Sequence, residues 1–268
     1  MQKIIMLGTG HGFVYNYNNT CFILQNDEKY FMIDTGGSTK TIENLQKSNI
    51  NIEKIHDIFI SHCHTDHILG LFWMLKKITG LVKNNIYKGK LNIYCNKEVA
   101  DSINNIYPYL FPNTFSNIIK EYLNIIILDD NDKKIIAGRE YTFFDVKARK
   151  NLLYGFETTL DNDKKFIFLG DETCNQSIYN KIKDADYVMH EAFCLDQDQK
   201  IFKPYEKNHS TVKSVCQSLE NLNIKNLILF HTEETHIQNR KVLYIEEAKK
   251  YFSNNILVPN ELETIELD

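Results

Sequence analysis

The chain has 268 residues, of which 43% are hydrophobic and 25% are charged, and its formal net charge is −4. This composition is ordinary for a globular protein with a sizeable core. The slight acidity disfavours a dedicated polynucleotide binder, whose surface is usually basic. No apolar run approaches the roughly 20 residues that cross a bilayer. The first residues lack a signal-peptide pattern, and the six cysteines form no CxxC pair, so we expect a cytoplasmic protein with reduced thiols.

The first third of the chain is rich in strand signals. Short apolar runs predict strands at residues 3–7, 20–24 and 30–33, and the polar stretch 25–29 predicts a hairpin between the last two. A helix is then predicted through about Lys47, with Ser38 or Thr39 near its N-cap. A strand at residues 57–60 and a largely buried helix at residues 68–78 follow.

The remainder alternates between the two kinds of element. We predict helices near residues 97–107, 210–222 and 245–252, and strands at residues 91–94, 125–128, 141–146, 155–159, 166–169, 187–189 and 227–230. The aromatic, proline-broken stretch 107–112 is either a wall of the substrate pocket or a packed connector. No linker or repeat interrupts the chain. We therefore expect one domain over residues 1–268, built from stacked layers of sheet and helix.

Metal-competent side chains are concentrated directly after the strand at residues 57–60. The segment 61–67 reads Ser-His-Cys-His-Thr-Asp-His and contains His62, His64, Asp66 and His67. Burying several unpaired imidazoles is costly, and a purely structural role would require a separate hydrogen-bond partner for each. The spacing therefore predicts a metal centre.

Further polar residues follow other apolar strands. Asp171 comes after residues 166–169, His190 and Glu191 come after residues 187–189, and His231 comes after residues 227–230. A fourth segment, which begins with His209, opens a helix. Strand ends present side chains on a rigid scaffold, so these residues are further candidates for the same site.

These motifs together resemble the metallo-β-lactamase superfamily, and within it the ribonuclease Z-like branch. The segment His62-x-His64-x-Asp66-His67 matches the superfamily signature, and Asp171 matches its strand-end bridging aspartate. Residues 190–193 (His-Glu-Ala-Phe) and 209–211 (His-Ser-Thr) resemble two motifs of the branch, and so does the opening Leu-Gly-Thr-Gly at residues 7–10. The match extends over nearly the whole chain.

The resemblance implies an α/β fold of four layers, an αββα sandwich, with one or two zinc ions at an edge of the sheets. It implies that His62 and His64 bind the first ion, that Asp66, His67 and His231 bind the second, and that Asp171 bridges the two. These donors suit zinc and also fit manganese or iron. Asp66 would also accept a proton from the attacking water. His209 would act as general acid, oriented by Glu191.

One family ligand has no counterpart in this chain. The family supplies a third histidine to the first ion, but no histidine occurs between Ile68 and Met189, and the matching stretch places Lys147 or Arg149 at that position. A guanidinium is essentially never a ligand, and an ammonium is a poor one. We therefore predict a weaker first ion site. Alternatively, Lys147 or Arg149 holds a substrate phosphate.

The substrate prediction depends on a missing segment. Transfer-RNA-processing members carry a basic arm between the third histidine and the bridging aspartate, whereas here residues 148–170 are filled by two strands and a turn. We therefore predict a metal-dependent hydrolase of small phosphodiesters. The alternatives are a ribonuclease Z-type RNA 3′-end endonuclease, a carboxylic ester or lactone hydrolase, and a non-catalytic metal-binding protein. A homodimer is an expectation from the family.

Overall fold

The computed structural model describes residues 2–149 and 151–267, which form two seven-stranded sheets. The strands are β1 (Gln2–Gly8), β2 (Cys21–Asn26), β3 (Lys29–Ile33), β4 (Asp57–Ile60), β5 (Leu91–Cys95), β6 (Leu123–Ile127), β7 (Lys133–Ile136), β8 (Arg139–Asp145), β9 (Tyr154–Thr159), β10 (Lys165–Phe168), β11 (Tyr187–Glu191), β12 (Asn226–Phe230), β13 (Asn255–Leu257) and β14 (Thr264–Glu266).

Both sheets combine an antiparallel half with a parallel half. The first sheet has the order β14-β1-β2-β3-β4-β5-β6, and β3 to β6 run parallel. The second has the order β13-β12-β11-β10-β9-β8-β7, and β10 to β13 run parallel. Carboxyl ends of parallel strands meet at one edge of a sheet, where α/β proteins commonly bind ligands. The segments after β4, β10 and β12 carry metal-competent residues noted above, whereas His190 and Glu191 are the last two residues of β11 instead of following it.

Helices cover the outer faces of the sheets. They are α1 (Lys40–Lys47), α2 (Thr65–Lys83), α3 (Lys97–Leu110), α4 (Asn113–Tyr122), α5 (Tyr179–Ile182), α6 (Gln199–Phe202), α7 (Val212–Leu219) and α8 (Arg240–Ala248). Short 3-10 turns occupy Ile52–Lys54, Gln176–Ile178, Asp196–Asp198, Pro204–Lys207 and Glu220–Leu222.

Three clusters of buried apolar side chains hold the layers together. One lies between the first sheet and α1 to α4, and another lies between the second sheet and α5, α7 and α8. The third joins the inner faces of both sheets and includes Phe22, Phe31, Phe156 and Phe168. The predicted αββα sandwich is therefore confirmed. A core shared by both sheets is what we expect of the single domain predicted above.

Several elements differ from the sequence-based predictions. Helix α4 and the short strands β7, β13 and β14 were not predicted. Helix α3 continues through Pro108 to Leu110 instead of ending near Tyr107. Pro108 has no backbone N–H to donate to the carbonyl of Asn104, so it weakens this turn, and the helix ends two residues later. Among the described residues, no helix is both long and apolar enough to cross a bilayer.

Candidate metal centre

The loop between β4 and α2 presents the first four candidate ligands. His62 and His64 lie in the loop, while Asp66 and His67 lie in the first turn of α2, where the helix dipole favours a carboxylate. The helix packs very closely on the turn after β3, because a Cβ atom on Gly70 would lie 1.8 Å from the carbonyl oxygen of Thr35. This position therefore requires glycine, and the close approach fixes the first turn of α2.

Asp171 and His231 reach the same place from the second sheet. They follow β10 and β12, and the backbone of His231 has a φ of 58°, an uncommon conformation for a residue other than glycine. Backbone conformations of this kind tend to occur at functional sites. Both side chains are buried, with 2% and 1% exposure.

One group of donors surrounds one oxygen of Asp171. Its Oδ2 atom lies 3.2 Å from His67 Nε2 and 3.3 Å from His231 Nε2. Asp66 Oδ2 lies 3.4 Å from His67 Nε2 and 4.0 Å from His231 Nε2. One ligand atom from each of these four residues lies within 4.8 Å of all the others, which makes the group able to hold a metal ion.

A second group surrounds the other oxygen of Asp171. The Oδ1 atom lies 3.5 Å from His62 Nε2, which in turn lies 2.7 Å from His64 Nδ1. These three residues also meet the 4.8 Å limit. The two oxygens of Asp171 therefore face two separate sets of imidazoles, which is the geometry of a bridging carboxylate.

The charges of the cluster are balanced for cation binding. Burial lowers the pKa of His62 to about 3 and moves that of His231 well below its ordinary value. Burial alone would raise the pKa of Asp171, but the adjacent His62, His67 and His231 hold it well below the usual range. Neutral imidazoles and ionised carboxylates are the forms that bind metals.

His67 shows that the cluster favours positive charge. Burial alone would lower its pKa, but the carboxylates of Asp171, Asp34 and Asp66 raise it well above the ordinary value. A metal ion would supply the same positive charge in place of the proton.

A second layer of side chains orients the imidazoles. His67 Nδ1 donates to Asp34 Oδ2 at 2.7 Å, and the Ser61 hydroxyl lies 3.1 Å from His62 Nδ1 and donates to Asp34. The Thr20 hydroxyl lies 2.8 Å from His231 Nδ1. These contacts occupy the Nδ1 atoms and leave the Nε2 atoms facing the cluster, as metal-binding histidines require.

His209 and Glu191 lie beside the metal-binding groups. The His209 ring stacks on Phe193 with centroids 4.9 Å apart, and its centroid lies 5.2 Å from that of His231. His209 Nδ1 lies 3.8 Å from Glu191 Oε2, which is longer than a hydrogen bond. Glu191 instead accepts from the backbone amides of Ser210 and Phe193. It thereby fastens the segment that carries His209.

The donors present fit a pair of metal ions. Both His67 Nε2 and Asp171 Oδ1 are buried without a hydrogen-bond partner among the described residues. Unpaired buried polar atoms are rare, and each calls for an explanation. Asp171 Oδ1 faces His62, and His67 Nε2 lies on the other side of the carboxylate, beside Oδ2. A cation on each side would satisfy these atoms. The mixture of imidazole and carboxylate suits zinc and also manganese or iron.

Residues 2–251 match the family described as Anti-Pycsar protein Apyc1. The chain belongs to this family. Ribonuclease Z of Prochlorococcus marinus (strain MIT 9515) is 25% identical over 315 aligned positions, which cover 97% of this chain and 98% of the relative. Ribonuclease Z of Macrococcus caseolyticus (strain JCSC5402) is 27% identical, with 89% of each chain covered.

Solved structures show the same fold. The metallo-β-lactamase fold protein YhfI from Bacillus subtilis has a TM-score of 0.78 at 17% identity, with 98% of each chain covered. The short form of human tRNase Z has a TM-score of 0.71 at 19% identity, with 99% of each covered. A diphosphatase of the PhnP family has a TM-score of 0.72 at 17% identity, with 100% of this chain and 98% of that chain covered. The metallo-β-lactamase superfamily and its ribonuclease Z-like branch are thus confirmed. The comparisons agree with a metal-dependent hydrolase of that superfamily.

Lys147 and Arg149 do not join the metal-binding groups. Lys147 is exposed, and its Nζ atom lies 2.9 Å from Asp145 Oδ2. Both cations line a neighbouring cavity of about 480 Å³, not the cavity over the metal-binding groups. Their assignment as substrate contacts stays a prediction, and this placement does not favour it.

Three other residues lie beside the metal-binding groups. Asn151 Nδ2 lies 2.7 Å from His64 Nε2, so an amide contacts His64 on the side away from His62. His11 and Lys207 line the cavity over the metal-binding groups. Burial, with the charge of His209, lowers the pKa of His11 to about 4.

Asp34 supports imidazoles of both groups, His67 directly and His62 through Ser61. Its φ of 53° signals an unusual backbone, which asparagine tolerates equally well. Asp34→Asn therefore removes the charge without altering the turn. We expect metal affinity to fall about 10- to 100-fold, as for other residues that support metal ligands. Competition with a chromophoric chelator measures this.

Asp101→Asn is the matched control, because Asp101 is an exposed carboxylate paired with Lys97 on α3. The control should bind metal like the native chain. Equal affinity in the Asp34 and Asp101 variants would contradict the proposed role of Asp34.

Proposed function

We propose that this chain is a metal-dependent phosphodiesterase that hydrolyses a small phosphodiester. The observation that carries the proposal is the position of Asp171, whose two oxygens face His67 and His231 on one side and His62 on the other. We assign the first ion to His62, His64 and Asp171, and the second to Asp66, His67, His231 and Asp171. Such a pair of ions lowers the pKa of water and stabilises charge on a phosphoryl oxygen.

Two residues of the chain are suited to move protons. Asp66 is partly exposed, and the neighbouring imidazoles of His67 and His231 outweigh its burial and lower its pKa, so the carboxylate is ionised and has a free charge to receive a proton. We propose that it accepts the proton of the attacking water. Burial lowers the pKa of His209, so the protonated ring releases its proton readily. We propose that His209 protonates the leaving oxygen, while Glu191 positions its segment.

The size of the site supports a small substrate. The cavity over the metal-binding groups measures about 120 Å³, and its wall includes Phe13, Phe193 and Lys207. The Lys207 ammonium lies 5.0 Å from the centroid of the Phe193 ring, beside the proposed acid. A cation at this position favours an anionic substrate, and we propose that it contacts the phosphate.

The connection between β8 and β10 also supports a small substrate. Its described residues, 146–149 and 151–164, form β9 and short turns and contain no protruding arm. The Prochlorococcus relative aligns over 315 positions although this chain has 268 residues, so the relative contains segments that this chain lacks. The names of these relatives nevertheless favour RNA 3′-end cleavage as the second candidate function.

We also propose a cytoplasmic location, which the six free thiols support.

His209→Ala tests the proposed acid. We expect turnover of bis-p-nitrophenyl phosphate to fall on the order of 10²- to 10⁴-fold, because general acid catalysis contributes about that much. The bound metal should stay unchanged, since His209 belongs to neither metal-binding group. His56→Ala, which alters a histidine bonded to the carbonyl of Lys90, is the control and should keep full turnover. Unchanged turnover in His209→Ala would remove the assignment.

Cleavage assays with different substrates distinguish the two candidate functions. We expect the native enzyme to cleave small phosphodiesters and to leave precursor transfer RNA intact over a range of salt concentrations. Lys207→Gln should raise the KM for an anionic diester more than it lowers kcat, whereas Lys147→Gln should change neither. Efficient cleavage of the precursor, with the steep salt dependence of a polynucleotide contact, would favour the ribonuclease instead. Turnover of a neutral carboxylic ester without the diester would indicate an esterase.

We also propose a homodimer formed through an apolar groove on the first helical layer. The groove measures about 500 Å³ and is lined by α2, the end of α3 and the start of α4, including Leu69, Trp73, Leu110 and Phe115. Trp73 is 45% exposed and Leu110 is 55% exposed, which is unusual for large apolar side chains grouped together.

Light scattering should show a dimer for the native chain and a monomer for Trp73→Glu. Ile135→Glu, at an exposed apolar residue of β7, should remain dimeric. A monomeric native chain would contradict the proposal.

A further inference from the structure

A third set of metal-competent side chains lies outside the two groups around Asp171. It consists of Asp198, Glu233 and His236, and one ligand atom from each lies within 4.8 Å of the other two. Asp198 ends a 3-10 turn after β11, and the other two follow β12. The side chains of Asp198 and His236 are 14% and 27% exposed, so an ion could enter from solvent.

Glu233 provides an independent sign that this cluster suits a cation. The residue is only 1% exposed, and its Oε1 atom has no hydrogen-bond partner among the described residues. Its other oxygen accepts from the backbone amide of Thr235. An unpaired carboxylate oxygen in the interior is costly unless a cation or a proton satisfies it.

Neighbouring groups do not supply a direct partner for this oxygen. The buried Arg240 donates to Thr232, Pro259 and Asn260. Burial raises the pKa of the Cys194 thiol, and the charges of Glu233 and Asp198 add to this effect. Burial and Glu233 likewise raise the pKa of Tyr244. The charge of Glu233 thus acts on these groups and on the guanidinium of Arg240, but none of them donates a hydrogen bond to Oε1.

We propose that Asp198, Glu233 and His236 form a divalent transition-metal site separate from the two groups around Asp171. An imidazole and two carboxylates suit Zn²⁺, whose ligand distances are about 2.0–2.2 Å, better than Ca²⁺ or Mg²⁺, which prefer oxygen donors. His236 Nε2 already lies 2.9 Å from Asp198 Oδ2, so small movements bring the three ligands around one ion.

The site would join two segments that border the proposed centre of hydrolysis. Asp198 lies five residues after Phe193, and Glu233 lies two residues after His231. The backbone amide of Glu233 already donates to the carbonyl oxygen of Phe193 at 2.8 Å. An ion at this place would strengthen that connection, so it would stabilise the fold and take no part in the reaction.

Equilibrium dialysis against buffered Zn²⁺ tests the proposal. The native chain should bind one equivalent more than Asp198→Asn and one more than His236→Gln. Both positions are partly exposed, and asparagine can still bond His236, so these variants should remain folded, as circular dichroism would confirm. Zn²⁺ should also raise the unfolding midpoint of the native chain more than that of either variant.

Glu234→Gln is the matched control. Its carboxylate lies in the same loop and accepts from the amides of Tyr15 and Asn16 instead of joining the cluster. This control should bind as much zinc as the native chain. Equal zinc counts in the native chain, Asp198→Asn and His236→Gln would overturn the proposal and would indicate that a proton or Arg240 balances Glu233. Diester hydrolysis is measured separately, so either proposal can fail without the other.

Discussion

The structure depends on one buried carboxylate, Asp171, which meets imidazoles from both sheets. It leaves β10 in the second sheet and faces His62 and His67, which leave β4 in the first. An ionised carboxylate at 2% exposure is tolerated only when opposite charge surrounds it. The two sheets must therefore pack in one relative position before this charge is satisfied. The aromatic cluster between the sheets fixes that position, because Phe22 and Phe168 pack edge to face with centroids 5.3 Å apart.

The supporting residues explain how the imidazoles keep one orientation. Asp34 holds His67 directly and His62 through Ser61, so one carboxylate in the first sheet serves both groups. The close packing of Gly70 against Thr35 brings α2 near enough for the first of these bonds. Glu191 plays a similar part in the second sheet, because it fixes the backbone of the segment that carries His209. Both carboxylates are fully buried, and both act by holding other groups in place.

Local patterns in the sequence predicted the candidate ligands, which the structure brings together, but not the residues that support them. His62 to His67 form a compact motif, and Asp171 and His231 each follow an apolar strand, so strand ends alone indicated a common site. Asp34 contacts His67 across 33 residues and has the residue types of an ordinary turn around it, so no short pattern reveals it. Helix α4 and the short strands β7, β13 and β14 were missed because tertiary contacts, more than intrinsic propensity, stabilise short elements. Lys147 was aligned with a ligand position, but it has positive φ and pairs with Asp145.

The two groups around Asp171 differ in how strongly they attract a cation, because they contain different donors. Asp66, His67 and His231 surround one oxygen, and the last two are held by Asp34 and Thr20 in the interior. The other oxygen faces His62 and His64, and His64 is exposed and contacts a neutral amide, Asn151. A neutral amide adds no negative charge, whereas the second group includes the extra carboxylate of Asp66. Electrostatic attraction for a cation is therefore stronger on the side of His67 and His231, which supports the prediction that the first ion is held less tightly.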